Sequence, residues 1–163
     1  MRAVILFAVG TLLMSCMSGG SSDPDATAID SFSGYTGWHR VNTSPITGDT
    51  TGALGNVHEG SSGFREVYIN SVGSAASSGS APLPHPEGTM VVKESFKNDA
   101  GEKGKLTGIT VMSKREAGYD PENGDWEYLN VKPNLKVNAQ GRLSLCVSCH
   151  SASDNDYVFT SSR

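Results

Sequence analysis

Near its C-terminus the chain reads Cys146-Val147-Ser148-Cys149-His150. Two thiols separated by two residues can each bond one vinyl group of a single porphyrin, and a histidine directly after the second can ligate the iron beneath it. The run therefore reads as a covalent attachment site for c-type haem, with Cys146 and Cys149 as anchors and His150 as proximal ligand. The same spacing also serves redox dithiols, half of a zinc site and small disulfides. A thioredoxin-like pair expects an early βαβ context, and zinc needs two more ligands. Neither is visible, since the one other cysteine is Cys16 and the remaining histidines, His39, His58 and His85, are distant.

Haem of this type is attached outside the cytoplasm, and the other end of the chain provides for export. Met1-Arg2 is followed by an apolar run from Ala3 to Met14, a charged start and a hydrophobic stretch too short to span a bilayer, as in a secretory signal. Its end, Leu13-Met14-Ser15-Cys16, is similar to a bacterial lipobox, in which the cysteine is lipidated and becomes the new N-terminus. The alternative is an ordinary signal cut nearby. With lipidation at Cys16, several acyl chains would hold the protein firmly on a membrane that it does not span. The expected organisation is a signal over 1–15, a flexible tether over 16–27 built from Ser, Gly and Asp, and one folded domain over 28–163. The expected location is the bacterial periplasm, on the outer membrane.

The chain carries 13 Lys and Arg against 17 Asp and Glu, a formal charge of −4. It has no basic run or aromatic-basic interleaving, so nothing points to nucleic acid; a mildly acidic body suits a small uncharged ligand or a basic electron-transfer partner.

To hold a porphyrin, the motif needs a scaffold, and the pattern favours antiparallel β structure over helices. Arg65–Asn70, Met90–Phe96, Gly108–Lys114 and Trp126–Val131 are short runs rich in β-branched and aromatic residues, bounded by Gly, Asn, Asp and Pro. Asn98–Gly104 and Tyr119–Asp125 carry turn signals, and Ser71–Pro86 reads as a partly ordered loop. A short helical segment over Leu143–Ser153 would present the two cysteines and His150. The expected fold is mainly β, an antiparallel sheet with few short helices.

Read in order, Trp38, Arg65-Glu66-Val67-Tyr68-Ile69-Asn70, Pro86-Glu87-Gly88-Thr89-Met90-Val91-Val92-Lys93-Glu94, Met112-Ser113-Lys114, Tyr119-Asp120-Pro121, Gly124-Asp125-Trp126, the C-x-x-C-H run and Asp156-Tyr157-Val158-Phe159 form a succession that resembles the cytochrome P-460 family over essentially the whole folded part. The resemblance implies a mainly antiparallel β fold, usually dimeric, and one haem c with His150 as proximal ligand. It also implies either of two branches. One oxidises hydroxylamine or a related small nitrogen compound, passes electrons to an external cytochrome and links a strand lysine to the porphyrin. The other, the cytochromes c′-beta, lacks that link and binds small gases such as nitric oxide.

Lys93 stands at the position of the cross-linking lysine. Strand alternation puts it on the face of Val91 and Ser95, so a cross-link is possible if that face lines the haem. The enzyme branch also uses a distal carboxylate to accept protons. Thr110 stands near that position here, and threonine is no general base near neutral pH, which leaves Glu59, Glu66 and Glu94 as substitutes from elsewhere. His39, His58, His85, Met90 and Met112 could each serve as a sixth iron ligand in an electron carrier, against the ordinary reading of surface histidine and core methionine. Trp126 and Tyr128 share a strand face and are expected in the core.

Overall fold

The computed structural model describes residues 28–42, 46–47 and 63–159. The signal over 1–15, Cys16, the tether over 16–27, His58 and Glu59 lie outside the described residues. Among the described residues seven strands are formed: β1 His39–Arg40, β2 Ile46–Thr47, β3 Phe64–Ile69, β4 Met90–Asp99, β5 Glu102–Lys114, β6 Trp126–Val131 and β7 Val137–Gly141. They make one sheet in the order β1-β3-β4-β5-β6-β7, and β2 pairs with β3 further along that strand from β1. Every pairing is antiparallel, so the mainly β expectation holds. Each of the four expected strands is present. β4 and β5 run further than expected, because Asp99 pairs with Glu102 across a two-residue turn. Ala100 and Gly101 there have φ of 53° and 98°, the left-handed pair that matches a hairpin turn to strand twist.

Side chains alternate across the sheet, and each face carries its own core. Val92, Ile109, Val111, Leu129 and Val131 lie on one face and are covered by Phe32, with Ala28, Ile29, Tyr35 and Trp38 packed alongside. Ile69, Val91, Met112, Trp126 and Tyr128 lie on the other, covered by Val158 and by Leu143, Cys146 and Val147. The C-x-x-C-H segment thus rests on the second face. Trp126 is 0% exposed and Tyr128 3%, in the core as expected.

Among the described residues two helices lie complete, α1 Ser71–Ser77 and α2 Ser144–His150, with helical residues also at 28–30 and single 3₁₀ turns at Tyr35–Gly37 and Pro121–Asn123. The helix α1 corrects the reading of Ser71–Ser80 as loop. The side chain of Asn70 accepts a hydrogen bond from the Gly73 N–H and caps the helix, and small residues then let it approach the sheet. A Cβ on Gly73 would lie 2.3 Å from Thr89 Cγ2 and 3.0 Å from Ile69 Cδ1, both in the buried interior. Gly73→Ala is therefore expected to destabilise the fold by about 1–2 kcal/mol: overpacking costs about 1–3 kcal/mol, and the better helix propensity of alanine offsets up to about 1 kcal/mol. Urea unfolding checks this; unchanged or raised stability would refute the tight contact. Among the described residues no helix is long and apolar enough to cross a membrane.

Candidate haem site

In α2, residues three and four apart share a side, so Cys146, Cys149 and His150 cluster on one stripe of a single helical stretch. Neither thiol is in a disulfide, and both are half-buried. Cys146 packs into the apolar cluster of Ile69, Val91, Met112 and Tyr128. Burial pushes its thiol pKa up, and the positive charge of Lys93 pulls against that rise. Opposite sides of the helix differ in exposure: Leu145 is 64% exposed, while Val147 and Cys146 face the sheet.

The imidazole of His150 is fixed from three sides. Its Nδ1 lies 2.7 Å from the carbonyl oxygen of Tyr157, and because a carbonyl only accepts, Nδ1 carries the hydrogen. The rings of Tyr128 and Phe159 lie 5.5 and 5.4 Å from it, centroid to centroid. Burial lowers its pKa and the nearby Lys93 lowers it further, against the opposing effect of the Tyr157 carbonyl. The result is a neutral ring with its proton on Nδ1 and a lone pair on Nε2, the form that ligates metal.

The face on which Lys93 lies decides whether it can meet a porphyrin. It pairs with Val67 in β3 and Thr110 in β5, and alternation places it with Val91, on the face that carries α2. Lys93 keeps a little accessible surface, yet protein displaces water from its amine and lowers the pKa to about 8. The positive charge of Arg65 adds to this, and Cys146 is near enough to act in the opposite sense. The charge of Lys93 thus acts on both Cys146 and His150, and the amine lies near each of them.

Next to Lys93 the sheet face changes from apolar to polar. Thr110 faces Lys93 across the β4–β5 ladder, and Asn130 faces Thr110 across the next. With Ser95, Thr107, Lys132 and Asn138 they line a cavity of about 310 Å³. Among the described residues none of its lining groups is a carboxylate. Glu66 and Glu94, considered as substitutes for a general base, are cross-strand neighbours on the opposite face. There Tyr35 donates to Glu94 at 2.6 Å, Tyr68 donates to Glu66 at 3.0 Å, and Lys103 lies 3.0 Å from Glu66. They are therefore spent on the far side of the sheet. Thr110 was legible as a departure; Asn130 was not, because its cross-strand position depends on the β5–β6 register.

Of the residues considered as sixth ligands, Met112 is core, 7% exposed under α2, and Met90 packs into the core of the opposite face. His39 is exposed on the edge strand β1. The expectation of a surface histidine fails at His85, which is 1% exposed and packs edge-on against Trp126 at 5.8 Å. Prolines 84 and 86 fix its backbone, and the Asp156 carboxylate accepts its N–H at 2.8 Å, which draws the residue inward.

This donor set fits a haem. Two thiols outside any disulfide and a pre-oriented neutral imidazole lie on one helix, beside a desolvated amine and an adjoining polar cavity, and they suit thioether anchoring and axial ligation better than any other group bound by C-x-x-C. An antiparallel sheet bearing such a helix on one face defines a β-sheet cytochrome. The family Cytochrome P460 matches residues 32–160, and the chain belongs to it, so haem binding follows from membership as well as from the site. A comparison with curated proteins returns no match.

Proposed function

We propose that this chain is a mono-haem c cytochrome that binds a small nitrogen compound and turns it over oxidatively, with Cys146 and Cys149 as thioether anchors, His150 as proximal ligand and Lys93 joined to the porphyrin. The observation that carries the reading is the placement of the Lys93 amine on the α2 face, close enough to Cys146 and His150 to shift their titration. The haem, when bound, supplies an iron centre for the nitrogen ligand and for electron exchange with an external cytochrome. The chain's own part is to orient the imidazole, exclude water from the lysine and offer the hydrogen-bonding groups of Thr110, Asn130 and Ser95 to the ligand. Export, lipid attachment at Cys16, a periplasmic position on the outer membrane and a homodimer belong to the same proposal; they are supported by the signal-like start and the family resemblance.

A second reading has its own support. The cavity lacks a carboxylate, and protons released in oxidation would need an acceptor, so gas binding without turnover, as in cytochromes c′-beta, is the competing function. Proteolysis of the holoprotein followed by mass spectrometry separates the two. The cross-linked reading expects the Lys93 peptide to travel with the haem peptide containing Cys146 and Cys149. A free Lys93 peptide, together with binding of nitric oxide and no consumption of hydroxylamine, establishes the gas-binding protein instead.

A further inference from the structure

The carbonyl that holds His150 comes from an unusual piece of backbone. Asp156 and Tyr157 are consecutive non-glycine residues with φ of 48° and 66°, a conformation that L side chains rarely adopt and that persists only where surrounding contacts impose it. Those contacts are explicit. Lys114 Nζ reaches both oxygens of Asp156, at 2.8 and 3.1 Å, and the backbone N–H of His85 donates to one of them at 2.8 Å. Lys114 is itself held over the Trp126 ring, 5.0 Å from its centroid. Burial raises the Asp156 carboxyl pKa, but its hydrogen bonds from His85 and Lys114 outweigh this and keep it ionised. One residue on, the Tyr157 hydroxyl donates to the Glu122 carbonyl at 3.2 Å. Its ring lies so close to Gly124 that a Cβ there would come within 2.7 Å.

We propose that Lys114 and Asp156 are positioning residues for the proximal ligand: their ion pair holds the left-handed turn that aims the Tyr157 carbonyl at His150 Nδ1 and so sets how strongly this histidine donates to iron. The proposal rests on the reading of His150 as axial ligand of haem c. A hydrogen bond from Nδ1–H to a carbonyl gives the ring partial imidazolate character and makes Nε2 a stronger donor. A stronger donor favours ferric over ferrous iron. Neither Lys114 nor Asp156 touches the imidazole; each acts only through the backbone that it fixes.

The test uses the holoprotein with Lys114→Gln, Asp156→Asn and Lys114→Arg. Lys114→Gln keeps a hydrogen-bond donor while removing the charge, so it gives a folded variant should Asp156→Asn not fold. The readouts are the iron–histidine stretching band of the ferrous form in resonance Raman spectra, the reduction potential and the melting temperature. Both neutralising variants are expected to keep covalent haem, move the stretching band to lower frequency and raise the potential, with Lys114→Arg restoring wild-type values. An unmoved band and potential in folded variants, whatever the change in melting temperature, would show that the pair serves stability alone and would overturn the proposal. A wild-type chain carrying no covalent haem would overturn the haem c reading itself, and the positioning role with it.

Discussion

Serine at both Cys146 and Cys149 is expected to remove both thioethers, so that any haem left on the denatured chain is held through Lys93 alone. A thioether withstands denaturation whereas axial ligation does not, so haem staining of a denaturing gel reads the covalent bonds alone. The two sulfurs are not equivalent. Cys146 is packed among Ile69, Val91, Met112 and Tyr128, whereas Cys149 lies outside that cluster. Each single serine variant should keep haem through the remaining thioether. Cys146→Ser should also cost about 1 kcal/mol or more in stability, because it brings a hydroxyl into apolar surroundings. His150→Ala should leave both thioethers in place and alter only the coordination. Residual staining in the double variant is the result expected of the cross-linked reading, since with no thiol left in α2 the remaining covalent contact is Lys93; complete loss of staining is the result expected of gas binding without a cross-link. Full staining in a chain lacking both cysteines and Lys93 would refute the attachment site altogether.

The structure shows which parts of this site could be read before folding and which could not. Period-two alternation exposed the strands that build the sheet, and it also sorted Lys93 with Val91 rather than with Val92 and Glu94. Alternation cannot say which face receives the C-terminal helix. That depends on Leu143, Cys146 and Val147 finding Met112, Trp126 and Tyr128, contacts between segments far apart in sequence. The helix over Ser71–Ser77 was hidden because Ser and Gly are weak helix formers; a cap from Asn70 and close packing on Thr89 and Ile69 override that preference. The strand Val137–Gly141 was hidden for a similar reason, since a short run of Val, Asn, Ala, Gln and Gly carries little β signal and forms by pairing with β6. The partner of His150 was hidden most deeply. Nothing in Asp156-Tyr157 announces a left-handed turn, and only Lys114, His85 and Gly124, gathered from three other segments, make it one.

The site's chemistry turns on an amine, and replacing it should produce the second large effect. With a pKa of about 8, about one Lys93 in ten is neutral at pH 7, against about one in three thousand for a lysine of ordinary pKa 10.5. Only the neutral amine is a nucleophile, so burial raises the reactive population by about 300-fold where a porphyrin held by Cys146 would lie. Cross-linking should therefore accelerate about tenfold per pH unit up to pH 8 and level off above it, as followed by the mass of the joined peptides. The same burial carries a stability cost with a definite sign. The unfolded lysine holds its proton up to about pH 10.5 and the folded one only up to about pH 8, so between these values the unfolded chain binds more protons and stability rises with pH. Below pH 8 the folded state bears the full penalty, at most about 3 kcal/mol for a shift of this size. Lys93→Met, which keeps the apolar stem without the charge, is thus expected to stabilise the haem-free chain at pH 7 by up to about 3 kcal/mol. That gain should shrink steadily above pH 8 and vanish near pH 10.5, in urea unfolding of wild type and variant across the range. A gain independent of pH would mean that methionine merely packs better. A loss at pH 7 would mean that the ammonium has a compensating partner in the folded chain, which would remove the basis for its reactivity and for the cross-link.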